Sequence, residues 1–165
     1  GRILLEALVL GGLLALSHVA VLSHQRTDSP TSDEAIHLFS GAEQLEDGSA
    51  WSNPEHPPLL KLAGALALRP LGLRSPCGEA PCTVSPAGGY ARWLYGNAVP
   101  AHVIVAAGRR PLPWVLALLV VAIHLSVRTL AGRVAGLLAA GLVAFDPTFV
   151  AHAAIPPVVY SRWFA

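Results

Sequence analysis

Two clusters in this chain combine residue types that could do chemistry. The first is Asp33-Glu34 with His37. On a helix, Asp33 and His37 stand four apart and Glu34 and His37 three apart, so all three share a face. A carboxylate there could act as a general base, or as a metal ligand with His37. The plain structural account is also good. Acidic residues suit the first turn of a helix, and Thr31-Ser-Asp-Glu34 reads as a capping box. The second cluster is Asn53-Pro-Glu-His-Pro-Pro-Leu-Leu-Lys61. Consecutive prolines stiffen the approach and restrict where Glu55 and His56 point. Lys61 is the only lysine in the chain. It could meet a phosphate at headgroup level, or simply snorkel from an interfacial helix.

The elements that must hold these clusters follow from composition. Of 165 residues, 53% are hydrophobic and only 13% charged, about half the charge of a soluble domain. Mean hydropathy is +0.54. Eleven basic and ten acidic residues leave a net charge of +1, so no basic field for nucleic acid is expected. Residues 3–22 form an apolar run interrupted by Glu6, Ser17 and His18, long enough for one membrane crossing. A signal peptide is the rival reading, but the run is long for a signal core and no clean cleavage site follows it. Two more runs, 112–127 and 134–151, flank the turn 128–133, which carries Arg128 and Arg133 and no acid.

Short basic loops stay cytoplasmic. The turn 128–133 is therefore expected inside, with Arg2 and the amino terminus, and 23–111 outside. That outer segment holds eight of the ten acidic residues. Two helices are expected in it, near 31–46 and 57–69, both interfacial; the second is apolar nearly all round. Residues 152–165 would begin the next outer loop. Cys77 and Cys82 lie in a proline- and glycine-rich stretch of the outer segment, where an oxidising compartment favours a small disulfide loop. His18 and His124 fall within apolar spans and His152 near the outer surface. Trp51, Trp93, Trp114 and Trp163 fall near expected interfaces, as an aromatic belt would. The expected fold is an all-α polytopic membrane protein with three transmembrane helices and a large extracytoplasmic loop. The chain contains no methionine and opens Gly1-Arg2 directly into an apolar run, so we expect a piece of a longer protein.

The two clusters in this order resemble the first external loop of glycosyltransferase family 39, which includes the protein O-mannosyltransferases and the bacterial lipid A aminoarabinose transferases. Gly108-Arg109-Arg110-Pro111, the run 130–140 and Phe145-Asp-Pro-Thr-Phe-Val-Ala-His152 are similar to the second and third spans of the bacterial members. The resemblance implies a multi-pass protein of the cell membrane, in bacteria the inner membrane, with its active face outside. It implies an inverting transferase that moves a sugar from a polyprenyl-phosphate carrier to a hydroxyl on a protein, lipid or glycan. Asp33 would be the catalytic or metal-associated carboxylate, with Glu34 beside it. Glu55, His56 and Lys61 would shape the carrier-phosphate and acceptor site, and Arg109 or Arg110 would supply an arginine at the outer start of the second span. A divalent metal could serve beside these cations. The family's Thr-Asp-like pair after the third span has no counterpart in 153–165. This departure favours the alternative, a non-catalytic membrane subunit or scaffold whose outer loop binds protein.

Overall fold

A computed structural model of the chain describes residues 1–48, 52–54, 58–75 and 89–155. Among these residues every regular element is helical and no strand is present. The chain divides into two compact units. Two helical stretches, Arg2–Thr27 and Ala101–Phe145, are long and apolar enough to cross a membrane.

The first unit comprises 1–28 and 112–155. It contains α1 (Arg2–Thr27), α6 (Leu112–Phe145) and α7 (Pro147–Ala154). Twenty-six residues give α1 a length of about 39 Å, more than a hydrocarbon core requires. α6 is not one straight rod. Gly132 adopts φ 87°, ψ 174°, a left-handed φ that side chains with a Cβ rarely take. Beyond it the chain turns back: a Cβ on Gly136 would lie 2.9 Å from the His124 carbonyl oxygen. In an uninterrupted helix those residues would be about 18 Å apart. α6 is thus two arms joined at 132, and the glycine at 136 lets their backbones approach closely.

Two helix boundaries in this unit differ from the apolar runs of the sequence. The third apolar run, expected as one span over 134–151, is interrupted at Asp146. There the backbone is extended (φ −64°, ψ 124°), and Pro147 opens a new helix. The Asp146 carboxylate caps that helix, accepting from the Thr148 and Phe149 amides at 2.8 and 3.2 Å. His152, expected at the start of an outer loop, lies within α7. The core between these helices is small: Val21, Leu116, Val120, Ala140, Ala144, Val150, Ala153 and Ala154. Many larger apolar side chains face outward, among them Leu4 at 66% exposure, Leu118 at 71% and Leu142 at 76%.

The second unit, over 29–111, contains α2 (Ser32–Asp47), α3 (Pro58–Leu68), a 3-10 turn at Arg69–Leu71, α4 (Gly89–Gly96) and α5 (Ala101–Arg109). Four helices lie where two are expected. α4 and α5 are short, eight and nine residues, and their amphipathic pattern is easily lost between apolar neighbours. The core joins all four: Ala35, Leu38, Phe39, Leu68, Trp93, Leu94, Ile104, Val105 and Ala107. Phe39 meets Trp93 edge to face at 5.8 Å, a favoured aromatic geometry. The Trp93 indole N–H donates to the Arg74 carbonyl at 2.9 Å. Close helix contact depends on missing side chains. A Cβ on Gly41 of α2 would collide with the Lys61 carbonyl of α3, and one on Gly108 of α5 would collide with Leu38.

Candidate functional site

The acidic cluster sits at the start of α2. Asp33 and Glu34 occupy the first turn, after Thr31 in extended conformation at the N-cap. Glu34 closes the expected box from its own side, its Oε2 accepting the Thr31 amide at 2.8 Å. It also does something the local sequence does not announce. Arg109, seventy-five residues later at the end of α5, reaches it in a two-pronged bond. Nε donates to Oε1 and Nη2 to Oε2, both at 2.7 Å. Nη2 also approaches the Ser29 carbonyl at 3.4 Å. Exposure is 1% for Glu34 and 3% for Arg109. A forked, fully buried guanidinium–carboxylate pair has matched geometry and charge, so neither partner is left uncompensated.

The pair separates the neighbouring candidates by accessibility. Asp33 is half-buried, whereas Glu34 is sealed; Arg110 is exposed, whereas Arg109 is sealed. Of each adjacent pair, the first acid and the second arginine keep access to solvent. His37, one turn beyond Asp33 on the same face, is buried at 6% exposure.

Lys61 lies elsewhere in this unit, on the buried side of α3 at 4% exposure. Its Nζ donates to the Asn53 carbonyl at 2.6 Å. Burial lowers its pKa from the usual 10.5, and the negative Glu43 opposes that shift. Glu43 is fully buried and accepts from the Ser52 amide and hydroxyl, each at 3.2 Å. Lys61 thus helps hold the 52–53 segment against α2 and α3. This is neither the snorkelling position nor an open phosphate site. Glu55, His56, Cys77 and Cys82 lie outside the described residues, as do Trp51 and Trp163.

Among the described residues no group of three or more His, Cys, Asp or Glu side chains is arranged to hold a metal ion. A cavity of about 220 Å³ lies in the same unit, lined by Leu45, Leu68, Leu73 and Trp93 with Arg69 and Arg74. Asp33, Glu34, His37, Lys61 and Arg109 do not line it.

The first unit holds a cluster that motif reading passes over. Glu6, in the second turn of α1, is 7% exposed. Its Oε1 lies 3.1 Å from His124 Nε2 and 2.9 Å from Arg128 Nε, and its Oε2 lies 3.4 Å from Arg133 Nε. The signal was available: a lone acid in an apolar run needs a partner, and the only cations on 112–155 are Arg128 and Arg133. His18 of α1 stacks obliquely on Trp114, ring centroids 5.1 Å apart.

No known protein family, curated protein or solved structure matches this chain.

Proposed function

We propose that the chain is the front part of an inverting membrane glycosyltransferase that moves a sugar from a polyprenyl-phosphate carrier to an acceptor hydroxyl on the outer face. The observation that carries the reading is the accessible Asp33 beside the buried Glu34–Arg109 pair. That pair ties the start of α2 to the end of α5. Asp33 and Arg110, each next in sequence to one partner, are therefore held in one neighbourhood. An acid and a cation are the two groups such a transfer needs. Asp33 takes the acceptor hydroxyl's proton as the oxygen bonds to the sugar's anomeric carbon. The carbon–oxygen bond to phosphate breaks, and the polyprenyl phosphate leaves with the bonding electrons and an added negative charge. Arg110 stabilises that charge. Glu34 and Arg109 position the two reacting neighbours and do not touch substrate. One attack on the anomeric carbon inverts its configuration.

In this reading α1 and the two arms of α6 are three spans. The outward leucines of the first unit meet lipid, and Leu59 and Leu66 of α3, exposed at 74% and 48%, rest on the membrane surface. The second arm, about thirteen residues and 20 Å, is short for a full crossing. α7 continues beyond Asp146.

The test is transfer from a polyprenyl-phosphate sugar in vesicles by the longest natural frame containing this chain. Asp33→Asn should lower transfer by about 100-fold or more at normal expression, as loss of a general base does. Unchanged transfer would remove Asp33 from the chemistry. A second reading, the non-catalytic scaffold, is favoured by one observation. Both Lys61 and Arg109, offered by sequence as carrier-binding cations, are sealed and engaged within the protein.

A further inference from the structure

The Glu6 cluster gathers more positive charge than it neutralises. Two arginines converge on one carboxylate, and neither makes a hydrogen bond to a described residue. Each is an ion pair through Nε. Their side chains are 36% and 43% exposed, while the carboxylate they share is 8% exposed. One face of the cluster is therefore locked: His124 is 2% exposed and bonds Oε1. The other face presents two neighbouring, part-exposed guanidinium groups that meet Glu6 through Nε. Exposed apolar side chains lie close to them in sequence: Leu5 at 63% exposure, Leu130 at 87% and Val134 at 73%.

We propose that Arg128 and Arg133, held side by side by Glu6, bind the phosphate of an anionic phospholipid headgroup. The proposal rests on the membrane reading of the first unit. The chemistry is that of a phosphodiester, whose oxygens accept from paired guanidinium donors. The exposed Leu5, Leu130 and Val134 beside these residues in sequence favour a lipid over a free phosphate. The acyl chains cover apolar surface that a soluble anion leaves bare. Basic pockets between spanning helices on the cytoplasmic side recognise headgroups in this way. Glu6 keeps one positive charge in excess and stops the arginines from splaying, so it is a positioning residue.

The experiment uses the full chain in nanodiscs of phosphatidylcholine mixed with phosphatidylglycerol. Retained lipids are counted by native mass spectrometry after mild delipidation. The wild type should retain phosphatidylglycerol in preference to phosphatidylcholine. Arg128→Gln and Arg133→Gln should each weaken that preference by about fivefold, the contribution of one basic residue near an anionic surface. Arg2→Gln removes the same charge from an exposed position outside the cluster and should leave the preference intact. Millimolar inorganic phosphate should not displace the lipid. Circular dichroism checks that each variant keeps its helix content, and half-exposed Arg133 is the substitution least able to disturb folding. An equal loss in Arg2→Gln would overturn the proposal in favour of a diffuse surface field. Displacement by inorganic phosphate would overturn the lipid as occupant. Equal retention of both lipids by an alkali-resistant, inserted chain would overturn this site alone. Failure to insert at all would overturn the membrane reading together with it.

Discussion

The two units differ most in what they leave outside. In 29–111 an apolar core, Leu38, Phe39, Trp93 and Ile104 among others, surrounds paired polar groups such as Glu34 with Arg109, and the large outward apolar side chains are few. In the unit formed by 1–28 and 112–155, the buried set includes Glu6, Ser17 and His124, while leucines and valines cover the outside. Hydrophobic burial drives packing where water is the alternative. Where lipid is the alternative that drive vanishes, and helices associate through small residues and polar contacts. On the membrane reading proposed for the first unit, Gly136 against the His124 carbonyl and Glu6 among His124, Arg128 and Arg133 are contacts of that second kind. On that reading the same chain carries two packing chemistries. Glu34 ties the start of α2 to the end of α5; Glu6 fastens three helical segments with charge to spare.

Substitutions can break this contrast in order of expected size. Arg109→Met leaves Glu34 buried without its cation and should destabilise the second unit by about 3–5 kcal/mol, the cost of breaking a buried pair from one side. Chemical unfolding followed by Trp93 fluorescence reads it. Glu34→Gln combined with Arg109→Met should cost less than the sum of the single changes.

Glycine substitutions come next. Gly41→Val drives a side chain into the Lys61 backbone and should cost about 1–3 kcal/mol. Gly11 has nothing within 4 Å of the place its Cβ would occupy, so Gly11→Val should be near neutral. Melting in detergent compares the two. Glu6→Gln should be smaller, about 0.6–2 kcal/mol, because polar contacts between spanning helices contribute modestly. A loss as large as that of Arg109→Met would show that the two units are not packed differently.

The smallest effect is a pH slope. The Lys61 pKa is lowered from 10.5 chiefly by burial. Between its folded value and 10.5 the unfolded chain therefore binds more protons than the folded one. The contribution of this group to stability rises with pH through that window and levels off above it. Unfolding free energies measured as pH rises toward 10.5 should show the rise in the wild type and lose that component in Lys61→Met.

What the sequence made legible was local. Thr31 through Glu34 mark a helix start because capping chemistry spans only four residues, and Gly48 ends α2 in a left-handed conformation. The arginine-bearing turn at 128–133 contains the Gly132 break for a similar reason: reversing a helix needs a positive φ and polar ends. Contacts between distant segments were not legible. Glu34 and Arg109 are both visible as candidates, yet nothing in their spacing joins them across seventy-five residues. Their union seals both within the second unit and leaves Asp33 and Arg110 as their accessible neighbours. The setting of Lys61 was hidden for the same reason, since Asn53 and Glu43, which hold it, carry no pattern pointing to it. α4 and α5 escape because eight or nine residues give too few turns for periodicity to stand out.

The contrast between the units can be measured directly with spin labels in lipid vesicles, on a Cys77→Ser, Cys82→Ser background. Labels at Leu4, Leu118 and Leu142 report the first unit, and labels at Tyr95 and Arg92 the second. All five positions are exposed in the structure. The account predicts that oxygen, which partitions into lipid, relaxes the first three strongly, while a water-soluble nickel chelate relaxes only the last two. Strong nickel relaxation at Leu4, Leu118 and Leu142 would place that surface in water and contradict it.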